Sequence, residues 1–160
     1  MRKRLLLVFG VLALTPMLAR ADAESDVKDA FGEFQAAIKA GDADKIWPLL
    51  DTTSQKAVEK AGAALAAEHE KAKDAGKTQL EKLFGLSAEE IGKLKTTPKL
   101  YCKSKRFIKQ WDEVPGSKVT QVIVKEDKAT VKYTEEDGDK EEMQLSKQDG
   151  KWKIVLPKVL

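Results

Sequence analysis

Apolar and polar residues alternate along the stretch from Lys118 to Leu156, which predicts a β-sheet. The clearest examples are residues 129–134 and 152–156, where every second side chain is apolar. Asp137-Gly138 and Asp149-Gly150 separate such stretches, and these residues tolerate the positive φ angles of tight hairpins. We therefore expect an antiparallel meander whose apolar face is covered by the helices that precede it.

Upstream of the sheet, four apolar residues recur at spacings of four, three and four, which predicts a core-facing helix. They are Val27, Phe31, Phe34 and Ile38. Ser25 is expected to cap the start of this helix and Gly41 to end it. Asp42 then caps a second, short helix that carries Ile46, Trp47, Leu49 and Leu50.

The segment between these helices and the sheet is also predicted to be helical. High helix propensity runs from Ser54 to Ala75, and Gly76 is expected to break that helix. A short helix should end at Gly85, and Ser87 with Glu90 forms a capping box for the next one. Thr97-Pro98 is a further helix start, from which one amphipathic helix is expected to reach Trp111.

The first twenty-one residues have the pattern of an export signal. Arg2, Lys3 and Arg4 precede a short apolar run, and Ala19-Arg20-Ala21 offers a cleavage site; Ala21-Asp22-Ala23 offers a second one. The run is too short to be a stable membrane anchor. We predict a cleaved signal peptide (residues 1–21), a single domain (residues 22–160) and a periplasmic or extracellular location.

Charge and cysteine content narrow the function classes. The net charge is +3, but the leader carries four cations and no acidic residue, so the remaining chain is about −1 and has no net attraction for nucleic acid. Cys102 is the one cysteine, which excludes an intramolecular disulfide. We expect its thiol to be buried, with an intermolecular link as the alternative.

The order of elements, and the residues at their first junction, resemble the nuclear transport factor 2-like superfamily, which includes polyketide-cyclase-like and ketosteroid-isomerase-like proteins. The matching residues are Phe31-x-x-Phe34, residues 40–50 around Gly41-Asp42, and Val119 to Pro157. The resemblance implies a cone-like α+β fold, with N-terminal helices packed against a curved sheet. Small exported members of unknown function are the most similar. The helices predicted between Ser54 and Trp111 depart from the family pattern.

Candidate chemistry is sparse in the sequence. His69 is flanked by Glu68 and Glu70, but adjacent helix residues do not face each other, so we predict a solvated surface histidine. One histidine and one cysteine are too few for a structural zinc site, and the acidic residues 135–139 lack the spacing of a calcium loop. We read residues 135–139 as an acidic hairpin turn and predict no metal or cofactor.

The most basic segment is Lys99 to Trp111, where five cations alternate with aromatic residues. Such a pattern could bind an anionic polymer or a membrane surface. The helical spacing of its apolar residues instead favours a solvated basic face.

These observations favour a non-catalytic domain that binds a small apolar ligand or a partner protein. Trp47, Tyr133 and Trp152 are the predicted pocket residues. One alternative is an isomerase- or cyclase-like enzyme that uses Tyr133 with a carboxylate such as Asp51. It is disfavoured because no acidic residue joins Tyr133 on the apolar strand positions. A second alternative is a module that forms a homodimer through the open face of its sheet.

Overall fold

A computed structural model of the protein describes residues 15–157, with side chains from residue 22 onward. In this part of the chain, helices precede a four-stranded antiparallel sheet, which confirms the predicted α+β class and the meander. The α-helices are α1 (Thr15–Ala40), α2 (Ala43–Leu49), α3 (Thr52–Lys71), α4 (Asp74–Phe84), α5 (Ala88–Lys93) and α6 (Lys105–Lys109). Two 3-10 helices cover Pro98–Lys103 and Val114–Gly116. The strands are β1 (Lys118–Lys125), β2 (Lys128–Thr134), β3 (Lys140–Gln148) and β4 (Lys151–Val155).

Most of the predicted signal peptide lies outside the described residues; only the backbone of residues 15–21, within α1, is described. Among the described residues, no helix has both the length and the apolar character needed to cross a bilayer.

Each strand of the sheet pairs with the next one in sequence, so the strand order is β1-β2-β3-β4. The inner face is apolar and buried on β2, β3 and β4; its residues are Ala129, Val131, Tyr133, Met143, Leu145, Trp152 and Ile154. Thr130, Lys132 and Gln144 lie on the opposite, polar face. The β3–β4 turn places Asp149 and Gly150 at φ angles of 50° and 77°, as the Asp-Gly pair predicts.

Helix α1 covers the inner face of the sheet. The predicted stripe of Val27, Phe31, Phe34 and Ile38 is at most 2% exposed, and the Phe31 ring lies 5.2 Å from that of Tyr133. The predicted start of this helix at Ser25 was wrong, because Ser25 lies inside α1, which is helical from Thr15 onward. Its end was correct, since Gly41 has a φ of 61°.

The junction between α2 and α3 closes one edge of the sheet. Leu50 forms a parallel bridge with Ile154, and the Asp51 backbone N–H donates to the Ile154 carbonyl at 2.9 Å. The Leu156 N–H donates to Ser54 Oγ at 2.8 Å. As a result, β4 has a neighbour on both sides, whereas β2 is the one described strand that pairs with β1.

Two helix boundaries differ from the prediction. Helix α3 ends at Lys71, and Gly76 lies inside α4 instead of breaking a helix. Helix α4 ends as predicted at Gly85, which has a φ of 64°. The capping box of Ser87 and Glu90 is present at the start of α5.

The single helix predicted from Thr97 to Trp111 was also wrong. A 3-10 helix occupies Pro98–Lys103, and the buried Ser104 then begins α6. The Ser104 hydroxyl accepts a hydrogen bond from the Phe107 N–H at 3.2 Å, so Ser104 caps a new helix where the prediction continued the old one.

Candidate functional site

The three predicted pocket residues lie on different elements. Tyr133 is in β2 and packs under Phe31, Trp152 is in β4 with the Lys147 ammonium 5.7 Å from its ring, and Trp47 is half-buried in α2. Tyr133 and Trp152 line different clefts. The structure therefore does not bring the three residues around one described cleft, and their contact with a ligand stays a prediction.

A different set of residues meets where α6 and the turn after it approach the β2–β3 hairpin. We call this region the acidic cleft; it has a volume of about 360 Å³ and is lined by Lys109, Gln110, Trp111, Asp112, Glu113, Val114, Tyr133, Glu135 and Glu141. Its volume is near the lower limit for sites that hold a small ligand.

Apolar anchors fix the helical side of the acidic cleft. Trp111 is 7% exposed and packs its ring 6.1 Å from Phe34 and 6.5 Å from Phe107. Val114 is buried as well. Glu113 lies between the two buried residues Trp111 and Val114, and this places it at the rim of the cleft. The Nε1 donor of Trp111 is buried and has no acceptor among the described residues.

Strand periodicity fixes the sheet side. Tyr133 points to the inner face, and Glu141 is its cross-strand partner on β3. Glu135 lies two residues after Tyr133, so it follows on the same side of the chain. The Glu135 N–H donates to the Asp139 carbonyl at 2.9 Å, which closes the hairpin turn and confirms the predicted acidic turn.

Three carboxylates approach one another at the edge of the acidic cleft. One oxygen from each of Glu113, Glu135 and Asp137 lies within 4.8 Å of the others. Burial, followed by hydrogen bonding and repulsion from Glu113, raises the pKa of Glu135 to about 7. Burial, then the charges of Glu135 and Glu141, raises the pKa of Tyr133 to about 12. At neutral pH the Tyr133 hydroxyl is thus a hydrogen-bond donor.

This arrangement can hold a cation. Glu113, Glu135 and Glu141 form no ion pair with another described residue, and Glu135 is instead hydrogen-bonded to Glu113. Aromatic faces beside carboxylates suit organic ammonium and guanidinium groups. Glu113, Glu135 and Asp137 could also supply oxygens to a divalent cation, but calcium takes six to eight oxygen ligands, so water would have to provide the rest.

The prediction for His69 was wrong, because its side chain is buried. His69 is 9% exposed, and its Nε2 lies 3.1 Å from Glu81 Oε1. This contact joins α3 to α4. The flanking glutamates are indeed not its partners; Glu70 pairs with Lys95.

Asp51, the carboxylate of the enzyme alternative, has a structural role. It is 5% exposed, and its side chain accepts the Ser54 N–H at 2.7 Å as the N-cap of α3. Asp51 does not line the acidic cleft beside Tyr133, where Glu135 and Glu141 are the nearest acidic groups that affect the tyrosine.

The basic segment is largely solvated, as expected. Lys99 pairs with Asp44 and Lys103 with Glu90, whereas Lys105 is exposed. The thiol of Cys102 is fully buried, as predicted, and burial raises its pKa to about 12.

Sequence reasoning missed the acidic cleft because its halves are distant in the chain. Glu113 follows α6 and Glu135 follows β2, and no local motif links them. The run of acids at 135–139 was a signal that charge accumulates there, but the sequence did not show that Glu113 and Trp111 would face it.

Comparisons with known proteins add little to this picture. No protein-family profile matches the chain, and no curated protein is detectably similar to it. A structural comparison finds a crystal structure, at 2.00 Å resolution, of a Campylobacter jejuni protein provisionally named an NTF2-like transpeptidase. It is 14% identical, and the alignment covers 87% of this chain and 98% of that chain with a TM-score of 0.29. Its name belongs to the superfamily that the sequence resembles, but so low a TM-score carries no argument. The fold class rests on the architecture described above.

Proposed function

We propose that the protein is an exported, non-catalytic binding domain whose acidic cleft recognises an ammonium or guanidinium group. The observation that carries this proposal is the close approach of Glu113 and Glu135 beside Tyr133. The cation would come from a small amine or from a lysine or arginine side chain of a partner protein. The sequence suggested an apolar ligand or a partner protein; the charge of the cleft favours a cationic group in either case.

The physical basis is electrostatic. Deprotonation of Glu135 is opposed first by burial and then by hydrogen bonding to Glu113 and repulsion from the neighbouring carboxylates, and together these raise its pKa to about 7. A bound cation would reverse the sign of the local potential and favour the deprotonated carboxylates. The Tyr133 hydroxyl offers a donor for a neutral acceptor on the same ligand.

Export is the second part of the proposal, and it is supported by the basic, apolar and small-residue pattern of residues 1–21. Mass measurement of the protein recovered from cells would test it. A mature chain that begins at Asp22 or two residues later would support export, and an intact leader in the recovered protein would contradict it.

Binding can be tested by NMR at pH 8 with arginine amide, spermidine and calcium chloride as separate probes. The Trp111 indole N–H is the reporter, and the indoles of Trp47 and Trp152 serve as internal references because neither lines the acidic cleft. We expect arginine amide or spermidine to shift the Trp111 signal alone. Lowering the pH to 6 should weaken binding, because Glu135 is then largely protonated.

Glu135→Gln is expected to weaken this binding about tenfold, the loss typical of one charge-assisted hydrogen bond. Glu59→Gln on the exposed face of α3 removes the same charge elsewhere and should leave binding unchanged. A response to calcium alone would replace the proposal with a metal site. No response to any probe at about 10 mM, a weaker affinity than most specific sites show, would refute it.

One observation favours an enzyme as the second candidate. A carboxyl group with a pKa near 7 suits general acid–base catalysis, and Glu135 shares its cleft with the protonated Tyr133. Here Glu135 takes the role that the sequence gave to Asp51. Turnover of a carbonyl substrate that falls in both Glu135→Gln and Tyr133→Phe, with binding retained in Tyr133→Phe, would favour catalysis over binding alone.

A further inference from the structure

Strand β1 forms an open edge of the sheet. It pairs with β2 on one side, and no described strand lies on its other side. The opposite edge, β4, is covered by Leu50 and Asp51. An uncovered edge strand of eight residues is a template for pairing with another chain.

The hydrogen-bond pattern shows which backbone groups of β1 face outward. The Lys147 N–H donates to the Asp127 carbonyl at 2.8 Å, so Asp127 faces β3 and the next residue, Lys128, faces β1. Lys128 is the partner of Lys125, and alternation continues from this pair as far as Gln121, beyond which the register shifts. Ile123 therefore bonds to β2, whereas the N–H and C=O groups of Val122 and Val124 point to the open edge.

The central side chains of this edge are apolar. Val122 and Val124 are half-buried on the inner face, where they pack against the core. Ile123 is half-buried on the outer face, opposite Thr130. Three consecutive β-branched residues thus stand at an edge whose outward backbone groups have no partner among the described residues.

We propose that a second copy of the chain adds to this edge, so that the two β1 strands pair antiparallel around a two-fold axis at Ile123. In this register Val122 lies opposite the partner's Val124 and exchanges the outward backbone hydrogen bonds with it. Gln121 lies opposite the partner's Lys125. The two inner faces then form one continuous surface, because opposite residues in an antiparallel pair share a face.

The charges at the ends of β1 favour this register and favour a second copy of the chain as the partner. The antiparallel arrangement brings Lys118 of each copy towards the acidic Glu126-Asp127 turn of the other. A slip that placed Lys118 opposite the partner's Lys125 would oppose like charges and pair residues from different faces. The outer face of the sheet is polar, so it offers no comparable apolar surface for the face-to-face dimer suggested by the sequence.

Cysteine crosslinking of the purified chain tests the register. Ile123→Cys should form an interchain disulfide on mild oxidation, because a non-hydrogen-bonded antiparallel pair holds its Cα atoms about 4.5 Å apart, within disulfide range. Lys125→Cys should not crosslink to itself, since the two copies of residue 125 would lie about 13 Å apart. The native Cys102 is buried and does not interfere.

Light scattering after size exclusion tests the dimer itself. We expect a dimer whose dissociation constant rises at least about tenfold in Ile123→Lys, which opposes two lysines at the axis. Gln144→Lys, on the same face but in β3, should leave the dimer intact. A native chain, freed of residues 1–21, that is monomeric at about 100 µM would refute the proposal, since specific dimers are tighter than this. Equal crosslinking of Ile123→Cys and Lys125→Cys would also refute it.

Discussion

Asp51 offers a sharp test of how the helices are joined to the sheet. In Asp51→Ala the Ser54 N–H loses its acceptor at 2.7 Å in a buried position. Loss of an N-cap costs about 0.5–2 kcal/mol, and a buried hydrogen bond to a charged group is worth about 1.5–3 kcal/mol. We therefore expect the free energy of unfolding to fall by about 2 kcal/mol.

Asp42→Ala is a matched control, because Asp42 caps α2 in the same way but at the surface. Its side chain accepts the Asp44 and Lys45 N–H groups at 3.1 and 3.2 Å. Water can replace those bonds, so the expected loss is about 0.5–1 kcal/mol. The two variants make the same substitution at a helix N-cap, so the difference between their losses in free energy of unfolding measures the effect of burial.

Urea denaturation followed by tryptophan fluorescence measures both losses. A fall of 2 kcal/mol lowers the midpoint by about 1 M urea at an unchanged slope, and lowers Tm by about 7 °C. Asp51→Asn keeps an oxygen acceptor and should recover part of the loss. Equal losses in Asp51→Ala and Asp42→Ala, or a midpoint unchanged in Asp51→Ala, would refute the assignment of Asp51 as a buried cap.

Two further predictions follow from the shifted pKa values. Cys102, with a pKa of about 12, should react with a disulfide reagent at pH 8 about 10³-fold more slowly in the folded protein than in urea; rapid native labelling would contradict its burial. The pKa of Glu135 rises on folding to about 7, so this group costs stability as the pH rises through the interval from its ordinary value to 7. Glu135→Gln should therefore raise the free energy of unfolding at pH 8 by about 0.5–1 kcal/mol after solvent screening, and leave it unchanged at pH 4. An equal gain at both pH values would show that the gain is not electrostatic.

The elements that the sequence predicted well are those that short-range chemistry determines. The spacing of Phe31 and Phe34 identified the face of α1 because burial of that stripe needs only helical geometry. Gly41, Gly85 and the Ser87–Glu90 box marked helix ends correctly, since positive φ angles and end-group hydrogen bonds are local requirements.

The errors occur where tertiary contacts outweigh local preference. The break after Lys71 contains neither glycine nor proline, and the contact of His69 with Glu81 requires α4 to fold back on α3. Gly76 lies within α4 because a single glycine costs only about 1 kcal/mol, which packing can offset. The acidic cleft belongs to the same class, since Glu113 and Glu135 meet only after helix and hairpin have packed.

The contact between Ser54 and Leu156 joins residues 102 positions apart, and this separation sets the order in which the fold can form. Synthesis adds about 5–20 residues per second, so α3 exists for about 5–20 s before the strand that it holds has been made. During that time the phenylalanine face of α1 has no complete sheet to cover it. The segment between Ser54 and Leu156, which has to close into a loop before the contact forms, is most of the chain. The contact that stabilises the finished domain thus also postpones its completion until the last strand has been made.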